Sequence, residues 1–176
     1  MIRTPRLLLR PFEERDRAAF RALNADPAVM RHFPALQSAE ESDAMLDRIA
    51  ARWQEDGIAF AAVERAEDGA FLGMTGLARI REMSPALDGG LEIGWRLIPA
   101  AWGRGIATEA ARAWLDHGLA GGADRIVAFT TRQNLASQAV MARIGMTRDE
   151  SLDFDHPRIA PESPLQRHLV WRRDRN

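Results

Sequence analysis

The clearest hydrophobic pattern in the chain begins at Leu91, where apolar and polar residues alternate with the period of a half-buried strand. Every second residue of the segment LEIGWRLI is apolar: Leu91, Ile93, Trp95 and Leu97. Pro99 ends this strand, and from about Arg104 the apolar residues recur with helical spacing as far as Ala120. The pattern predicts a strand joined to a helix by a turn that contains two glycines, Gly103 and Gly105.

The same patterns predict the elements on either side of this segment. Helices are expected at 13–24, at 39–56, where Ser38 is a suitable N-cap and Gly57 a suitable end, and in a short segment after Asn134. Further strands are expected at 6–12, 58–64, 71–81, 125–131, 147–154 and 165–173. This order of elements predicts an α/β (α+β) fold in which a mixed sheet is flanked by helices.

Composition narrows the class of protein. A chain of 176 residues forms a single domain, 1–176, and its net charge of −1 provides no basic field for nucleic acid. The absence of cysteine excludes disulfides and a thiol nucleophile, and the four histidines lack metal-ligand spacing, so no metal is expected. No apolar run is long enough to span a membrane, and the first ten residues lack a signal-peptide core. We expect a cytoplasmic enzyme.

The turn between the central strand and its helix is a candidate anion site. The first amides of a helix have no partners within the helix, and glycines beside them let a phosphate or pyrophosphate approach. Glycine turns also serve as plain connections between strands and helices, so a mere connection is the alternative interpretation.

The motifs around this turn resemble a known family, the GNAT N-acetyltransferases, and within it the branch related to the RimL and RimJ ribosomal-protein acetyltransferases. The resemblance covers nearly the whole chain. It is carried by Thr4-x-Arg6-Leu7-x-Leu9-Arg10, Asn24-x-Asp26-Pro27-x-Val29-Met30, Glu92-Ile93-Gly94-Trp95, Pro99 with Trp102 to Ala110, Asn134-x-x-Ser137 and Arg143-Ile144-Gly145-Met146. It implies a GNAT fold with a central sheet of about seven strands, in which the strand at 91 and the strand at 125 splay apart.

The resemblance also implies acetyl-CoA as co-substrate, with the pantetheine arm in the splay. Main-chain amides would bind the pyrophosphate, at Gly103, Arg104, Gly105, Ile106, Ala107 and Thr108. Leu97 and Ile98 match the positions that bond pantetheine and polarise the thioester carbonyl, and Asn134 and Ser137 match positions that contact pantetheine and sulfur. Trp102 departs from the Gln or Arg that is common in the family at this position.

Two side chains are the candidates for proton transfer. Glu92, on the central strand, could take a proton from the attacking ammonium, or could instead be a salt-bridged or edge-facing glutamate. Many relatives protonate the departing thiolate with a tyrosine, which this chain lacks, so Ser137 is the best remaining candidate. Asn134 and Ser137 are equally suited to capping the following helix.

Other residues have a structural interpretation that competes with a functional one. His156 and His168 are alternative bases, or residues that hold the final loop against the last strand. Trp53, His32 and Phe33 belong either to the acceptor wall or, as the better interpretation, to the core.

We therefore expect an acyltransferase that moves acetyl from acetyl-CoA directly to a primary amine, which could be a protein N-terminus, an amino acid or another small amine. We expect a monomer or homodimer. A non-catalytic CoA-binding or interaction module is one alternative. A nicotinamide-dependent oxidoreductase is another, but it needs an acidic residue where the strand at 125 ends in Thr130-Thr131-Arg132.

Overall fold

A computed structural model describes residues 1–175. Its strands are β1 (Ile2–Arg3), β2 (Leu7–Arg10), β3 (Phe60–Arg65), β4 (Phe71–Arg79), β5 (Leu91–Leu97), β6 (Arg125–Thr131), β7 (Thr147–Arg148), β8 (Phe154–Asp155) and β9 (Arg167–Asp174). Its α-helices are α1 (Arg17–Ala25), α2 (Pro27–Met30), α3 (Ala39–Asp56), α4 (Ile106–Ala120) and α5 (Leu135–Arg143). The described strands form one mixed sheet in the order β1-β2-β3-β4-β5-β6-β9-β7, with β8 also paired to β9.

The described sheet has nine strands against the seven we expected, because the short strand β1 precedes the first expected strand and because the segment 147–154 is not one strand. Asp149 accepts a hydrogen bond from the Ser151 amide at 3.2 Å and begins a 3₁₀ turn at Glu150–Leu152. Such local capping competes with strand pairing. The chain therefore pairs with β9 twice, through β7 and again through β8, with the turn between them.

The predicted splay lies between β5 and β6. These strands are parallel and seven residues long, yet they pair only at Leu91 with Ile126 and at Glu92 with Val127. Beyond Glu92 the two strands separate, which leaves main-chain groups of β5 facing an open wedge.

Helices cover both faces of the sheet, and the alternation of β5 assigns its side chains to one face or the other. Ile93 and Leu97 pack into the cluster that contains α4. On the opposite face, Arg96 bonds Asn24 of α1, and a Cβ at Gly94 would lie 3.0 Å from the Phe60 ring. Period-two alternation places Glu92 on that same face, beneath α1 to α3. Among the helices of residues 1–175, none combines the length and apolar character needed to cross a membrane.

The N-cap and C-cap predicted for α3 are both confirmed. The Ser38 hydroxyl accepts a hydrogen bond from the Glu41 amide at 3.2 Å, and Gly57 ends the helix with φ 68°. The left-handed backbone conformation is readily adopted only by glycine. These caps fix where α3 begins and ends, and Leu46 and Ile49 of α3 pack in one core cluster with Met74 of β4.

Candidate functional site

A cavity of about 790 Å³ occupies the splay and brings most of the predicted site residues together. It runs from the start of α4, past the exposed edge of β5, to the segment after α2. The predicted residues that line it are Glu92, Leu97, Gly103, Gly105, Ile106, Ala107, Thr108, Asn134 and Ser137. Ile98 and Arg104 line a second cavity, of about 540 Å³, on the other side of the turn.

The turn before α4 presents main-chain amides that the helix itself does not use. The first hydrogen bond of this helix runs from the Glu109 amide to the Gly105 carbonyl, at 3.0 Å. The three preceding amides, of residues 106–108, have no carbonyl one turn back. Gly103 and Gly105 have φ of 68° and 75°, and Gly105, at the N-cap, has no side chain that could cap these amides. The turn therefore has the chemistry of an anion site.

An ion pair between the N-terminal segment and α4 holds this turn in place. The Arg6 guanidinium donates from Nε to Glu109 Oε2 at 2.6 Å and from Nη1 to the Arg104 carbonyl at 2.9 Å. Thr4 donates its hydroxyl to the same carboxylate at 2.6 Å. All four residues belong to the sequence motifs that resemble the GNAT family, but the sequence did not predict these contacts for any of them. Pattern does not reveal which distant residues meet.

The main-chain groups near the end of β5 divide between β4 and the splay. The Ile98 amide donates to the Leu72 carbonyl of β4 at 3.0 Å. Since successive amides of a strand point to opposite sides, the Leu97 amide points away from β4, into the splay. Leu97 is therefore positioned to bind a ligand in the cavity through its main chain, whereas the amide of Ile98 is already bonded within the sheet.

Trp102 forms a wall between the turn and α2. Its indole N–H donates to the Leu97 carbonyl at 2.9 Å, and the Arg31 guanidinium lies 5.7 Å from the centre of its ring. A cation at this distance over an indole face is attracted to it. The residue that departs from the family pattern thus joins β5 to the segment after α2. Sequence reasoning missed this role.

Glu92 lines the cavity and has an environment suited to a general base. Burial raises the pKa of Glu92 to about 7, against the charges of Arg52 and Arg158, which lower it. Within residues 1–175 its carboxylate forms no hydrogen bond or ion pair, and β5 lies between β4 and β6, so Glu92 is neither salt-bridged nor on a sheet edge. A carboxylate with a pKa near 7 can accept a proton at neutral pH.

Asn134 performs the capping that the sequence left open. Its Oδ1 accepts from the Ser137 amide at 3.2 Å, and its Nδ2 donates to the Thr130 hydroxyl at 3.0 Å. The Ser137 hydroxyl has no partner in the part of the chain that is described, and the residue lines the cavity. Capping thus uses the main chain of Ser137 and leaves its hydroxyl available.

Replacing Ser137 by alanine should separate a catalytic hydroxyl from a structural one. We expect the melting temperature to stay near that of the wild type, since the hydroxyl makes no hydrogen bond within residues 1–175, and turnover to fall roughly tenfold if it assists the departing thiolate. Steady-state kinetics beside a thermal melt give both numbers. Asn134→Ala is the control, because removing an N-cap costs about 1 kcal/mol of stability. A Ser137→Ala protein that is destabilised but fully active would contradict this role.

The two histidines of the final loop form a structural cluster. The rings of His156 and His168 lie 4.9 Å apart and pack against Phe154. Burial lowers the pKa of His156 to about 4, with a further lowering from His168, and neither ring lines the cavity. They hold the final loop against β9.

Of the three residues that the sequence placed either in the acceptor wall or in the core, one belongs to the core and two line the cavity. Trp53 packs 6.1 Å from the ring of Trp114 and donates its indole N–H to the Phe60 carbonyl, which makes it part of the core. His32 and Phe33 line the cavity and form part of its wall. Among residues 1–175 there is no group of three or more metal-ligating side chains arranged to hold an ion.

Comparisons with known proteins agree with this geometry. A family model described as an acetyltransferase (GNAT) domain matches residues 6–147. YkkB of Bacillus subtilis, an uncharacterised protein, is 31% identical over 145 residues, which are 81% of this chain and 83% of YkkB. The crystal structure of an acetyltransferase from Agrobacterium tumefaciens superposes with a TM-score of 0.79 and 28% identity, covering 98% of this chain and 92% of that one.

A solved structure with a bound ligand shares the fold. It is RimL, a ribosomal L7/L12 α-N-protein acetyltransferase in complex with coenzyme A. Its TM-score is 0.77 at 18% identity, covering 97% of this chain and 95% of RimL. The family match includes β5, the turn, α4 and α5, all of which contribute residues to the lining of the cavity in the present chain.

Proposed function

Because the chain belongs to the GNAT acetyltransferase family and is an acetyl-CoA-dependent acyltransferase, we propose that it transfers the acetyl group directly to a primary amine. The observation that carries this proposal is the cavity in the splay. It has free main-chain amides at one end and, on its β5 side, a carboxylate whose burial raises its pKa to about 7.

The amides at the start of α4 would hold the pyrophosphate of acetyl-CoA. Negative charge is favoured there by the helix dipole and by the unpaired N–H groups of residues 106–108. Gly103 leaves room for the ligand, since no described atom lies within 4 Å of where its Cβ would be. The pantetheine arm would then lie along the splay, between the Leu97 main chain and α5.

Acetyl-CoA supplies an activated carbonyl, and the chain supplies the groups around it. The Leu97 amide would stabilise negative charge on the carbonyl oxygen as the amine attacks. Glu92 would accept the proton of the attacking ammonium, directly or through water, and Ser137 would donate to the departing thiolate. With no cysteine in the chain, transfer would proceed without a thiol acyl-enzyme.

The demand on Glu92 depends on the acceptor. At pH 7 an α-amine of pKa ~7.8 is roughly one-seventh neutral, whereas a lysine of pKa ~10.4 is neutral in about one molecule in 2,500. RimL acts on an α-amine of a ribosomal protein, and a protein N-terminus is one candidate acceptor here, beside amino acids and other small amines. The cytoplasmic location and the monomeric or homodimeric state stay predictions.

The proposal is tested by binding and turnover together. Acetyl-CoA and CoA at 100 times their Kd should stabilise the protein by about 2.7 kcal/mol, which for a chain of this size is a rise of roughly 5–10 °C in melting temperature. NAD should give no rise. A thiol-release assay over a panel of amines should show turnover with at least one of them.

The alternatives give different results in the same two assays. A non-catalytic CoA-binding module would be stabilised by CoA but would release no thiol with any amine. A nicotinamide-dependent oxidoreductase would be stabilised by NAD and not by CoA, which would end the acyltransferase proposal.

A further inference from the structure

A buried arginine on β5 has no negatively charged partner among the residues that the structure describes. Arg96 is 7% exposed, and in residues 1–175 no carboxylate pairs with it. One amino group of its guanidinium, Nη1, donates to Asn24 Oδ1, and the buried Nε has no acceptor. The Phe33 ring lies 4.1 Å from the guanidinium carbon. A neutral amide and an aromatic face are thus the groups that this cation contacts.

Such an arrangement lowers the stability of the fold, so its presence calls for an explanation. Buried charges are normally paired, because desolvation of an unpaired ion costs several kcal/mol. Arg10 provides the contrast within this chain: equally buried, it bonds the carboxylates of Asp16 and Glu64 at 2.7–2.9 Å. Burial lowers the pKa of Arg96 to about 10, which still leaves it charged at neutral pH.

Arg96 lines the same cavity as Glu92 and lies on the same face of the sheet. Four residues along a strand correspond to about 13 Å between their Cα atoms. Both side chains are on the face beneath α1 to α3, on the opposite side of the sheet from α4, whose first turn would bind the pyrophosphate. The remaining amino group of Arg96, Nη2, makes no hydrogen bond among the described residues. A cation with a free donor therefore faces the part of the cavity that an acceptor would occupy.

We propose that Arg96 binds a carboxylate of the acceptor, so that the acceptor is a primary amine that also carries a carboxylate, such as an amino acid or the free end of a short peptide. This inference rests on the proposed function and deepens it. A guanidinium suits a carboxylate because its planar donors match the carboxylate oxygens. The bound carboxylate would supply the counter-charge that Arg96 lacks and would hold the amine at a fixed distance, towards Glu92.

The test compares acceptors that differ only in charge. ω-Amino acids of increasing length, α-amino acids and short peptides are each assayed beside their carboxamides, by thiol release with saturating acetyl-CoA. In the longer ω-amino acids the amine pKa is nearly the same in acid and amide, so the comparison within these pairs isolates the carboxylate. We expect kcat/KM for the best carboxylate acceptor to exceed that of its amide about 100-fold, since a charge-assisted hydrogen bond is lost.

Variants assign this preference to Arg96. Arg96→Met should lower kcat/KM for the carboxylate acceptor about 100-fold and for its amide less than about 3-fold, and Arg96→Lys should recover part of the loss. Arg31→Met is the control: Arg31 lines the same cavity but is exposed, so the preference should survive its removal. Equal losses on acid and amide, or loss of the preference in Arg31→Met, would overturn the inference.

The wild-type protein decides the matter even if the Arg96 variants do not fold. Amides, or amines without any anionic group, that are acetylated as well as the carboxylates would overturn the role of Arg96 and leave the transferase intact. If the protein binds acetyl-CoA but none of the amines leads to release of the thiol, the proposed function itself fails.

Discussion

Replacing Glu92 by glutamine is expected to lower kcat/KM for a lysine-like amine by about 10³, since a positioned general base contributes 10²–10⁴ in rate. Burial raises the pKa of Glu92 to about 7 in the unliganded protein, so wild-type kcat/KM should rise with pH through that value as the carboxylate ionises. Glutamine has nearly the same shape but no basic form. The variant should therefore lose this step in the pH profile between pH 5 and 9.

Two controls separate loss of the base from damage to the site. The Kd for acetyl-CoA should stay near the wild-type value, because Glu92 makes no contact with the turn before α4 in the described structure. With an acceptor that has an α-amine, kcat/KM should fall less, roughly tenfold, because a far larger fraction of this amine is already neutral at pH 7. Equal pH profiles in wild type and variant would remove Glu92 from the mechanism.

The same pKa shift predicts a change in stability. The pKa of Glu92 is higher in the fold than the 4.5 of an unperturbed glutamate, so the folded state binds more protons than the unfolded state between about pH 4.5 and 7. The free energy of unfolding should therefore fall as the pH rises through this window. Glu92→Gln should be more stable than the wild type at pH 8, by on the order of 2 kcal/mol, and little different at pH 4.

The second large effect is expected at Gly103, where alanine should raise the Kd for CoA by about 100-fold. Gly103 lines the cavity, and its φ of 68° is readily adopted only by glycine. An alanine would either push its methyl group towards the ligand or rotate the turn away from this conformation. Both changes disturb hydrogen bonds to a charged pyrophosphate, each worth 1.5–3 kcal/mol. Isothermal titration with CoA measures the loss.

Gly57 provides a matched control. It has the same φ of 68°, and a Cβ there would likewise meet no described atom within 4 Å, but it lies at the end of α3, away from the cavity. Gly57→Ala and Gly103→Ala should therefore lose similar stability, on the order of 1 kcal/mol. CoA affinity should fall for Gly103→Ala alone. A Gly103→Ala protein that binds CoA like the wild type would contradict a pyrophosphate site at this turn.

The elements that the sequence predicted well are those set by local chemistry. Alternation of side chains defined β5, a helix period defined α4, and residues 125–131 formed the strand expected of them. Ser38 and Gly57 marked the ends of α3 because an N-cap hydroxyl and a left-handed glycine act on residues within one turn. The glycine turn was recognised for the same reason.

The features that the sequence did not predict depended on distant partners. The segment 147–154 became two strands and a turn because Asp149 capped the chain locally while β9 offered two separate pairing sites. The Ile98 amide donates a hydrogen bond to the carbonyl of Leu72 in β4, so of these two amides only that of Leu97 faces the splay. The contacts of Arg6 with Glu109 join residues about a hundred positions apart.

Composition, periodicity and capping residues by themselves determined the elements and the strand–turn–helix unit that the family match later included. The tertiary structure decided which side chains meet in the cavity, which amides remain free, and what surrounds a charge. Glu92 and Arg96 illustrate the difference. Both were visible as polar residues of an alternating strand. The packed helices bury Arg96 and partly bury Glu92, with no ion-pair partner for either among residues 1–175, and no local pattern encodes this.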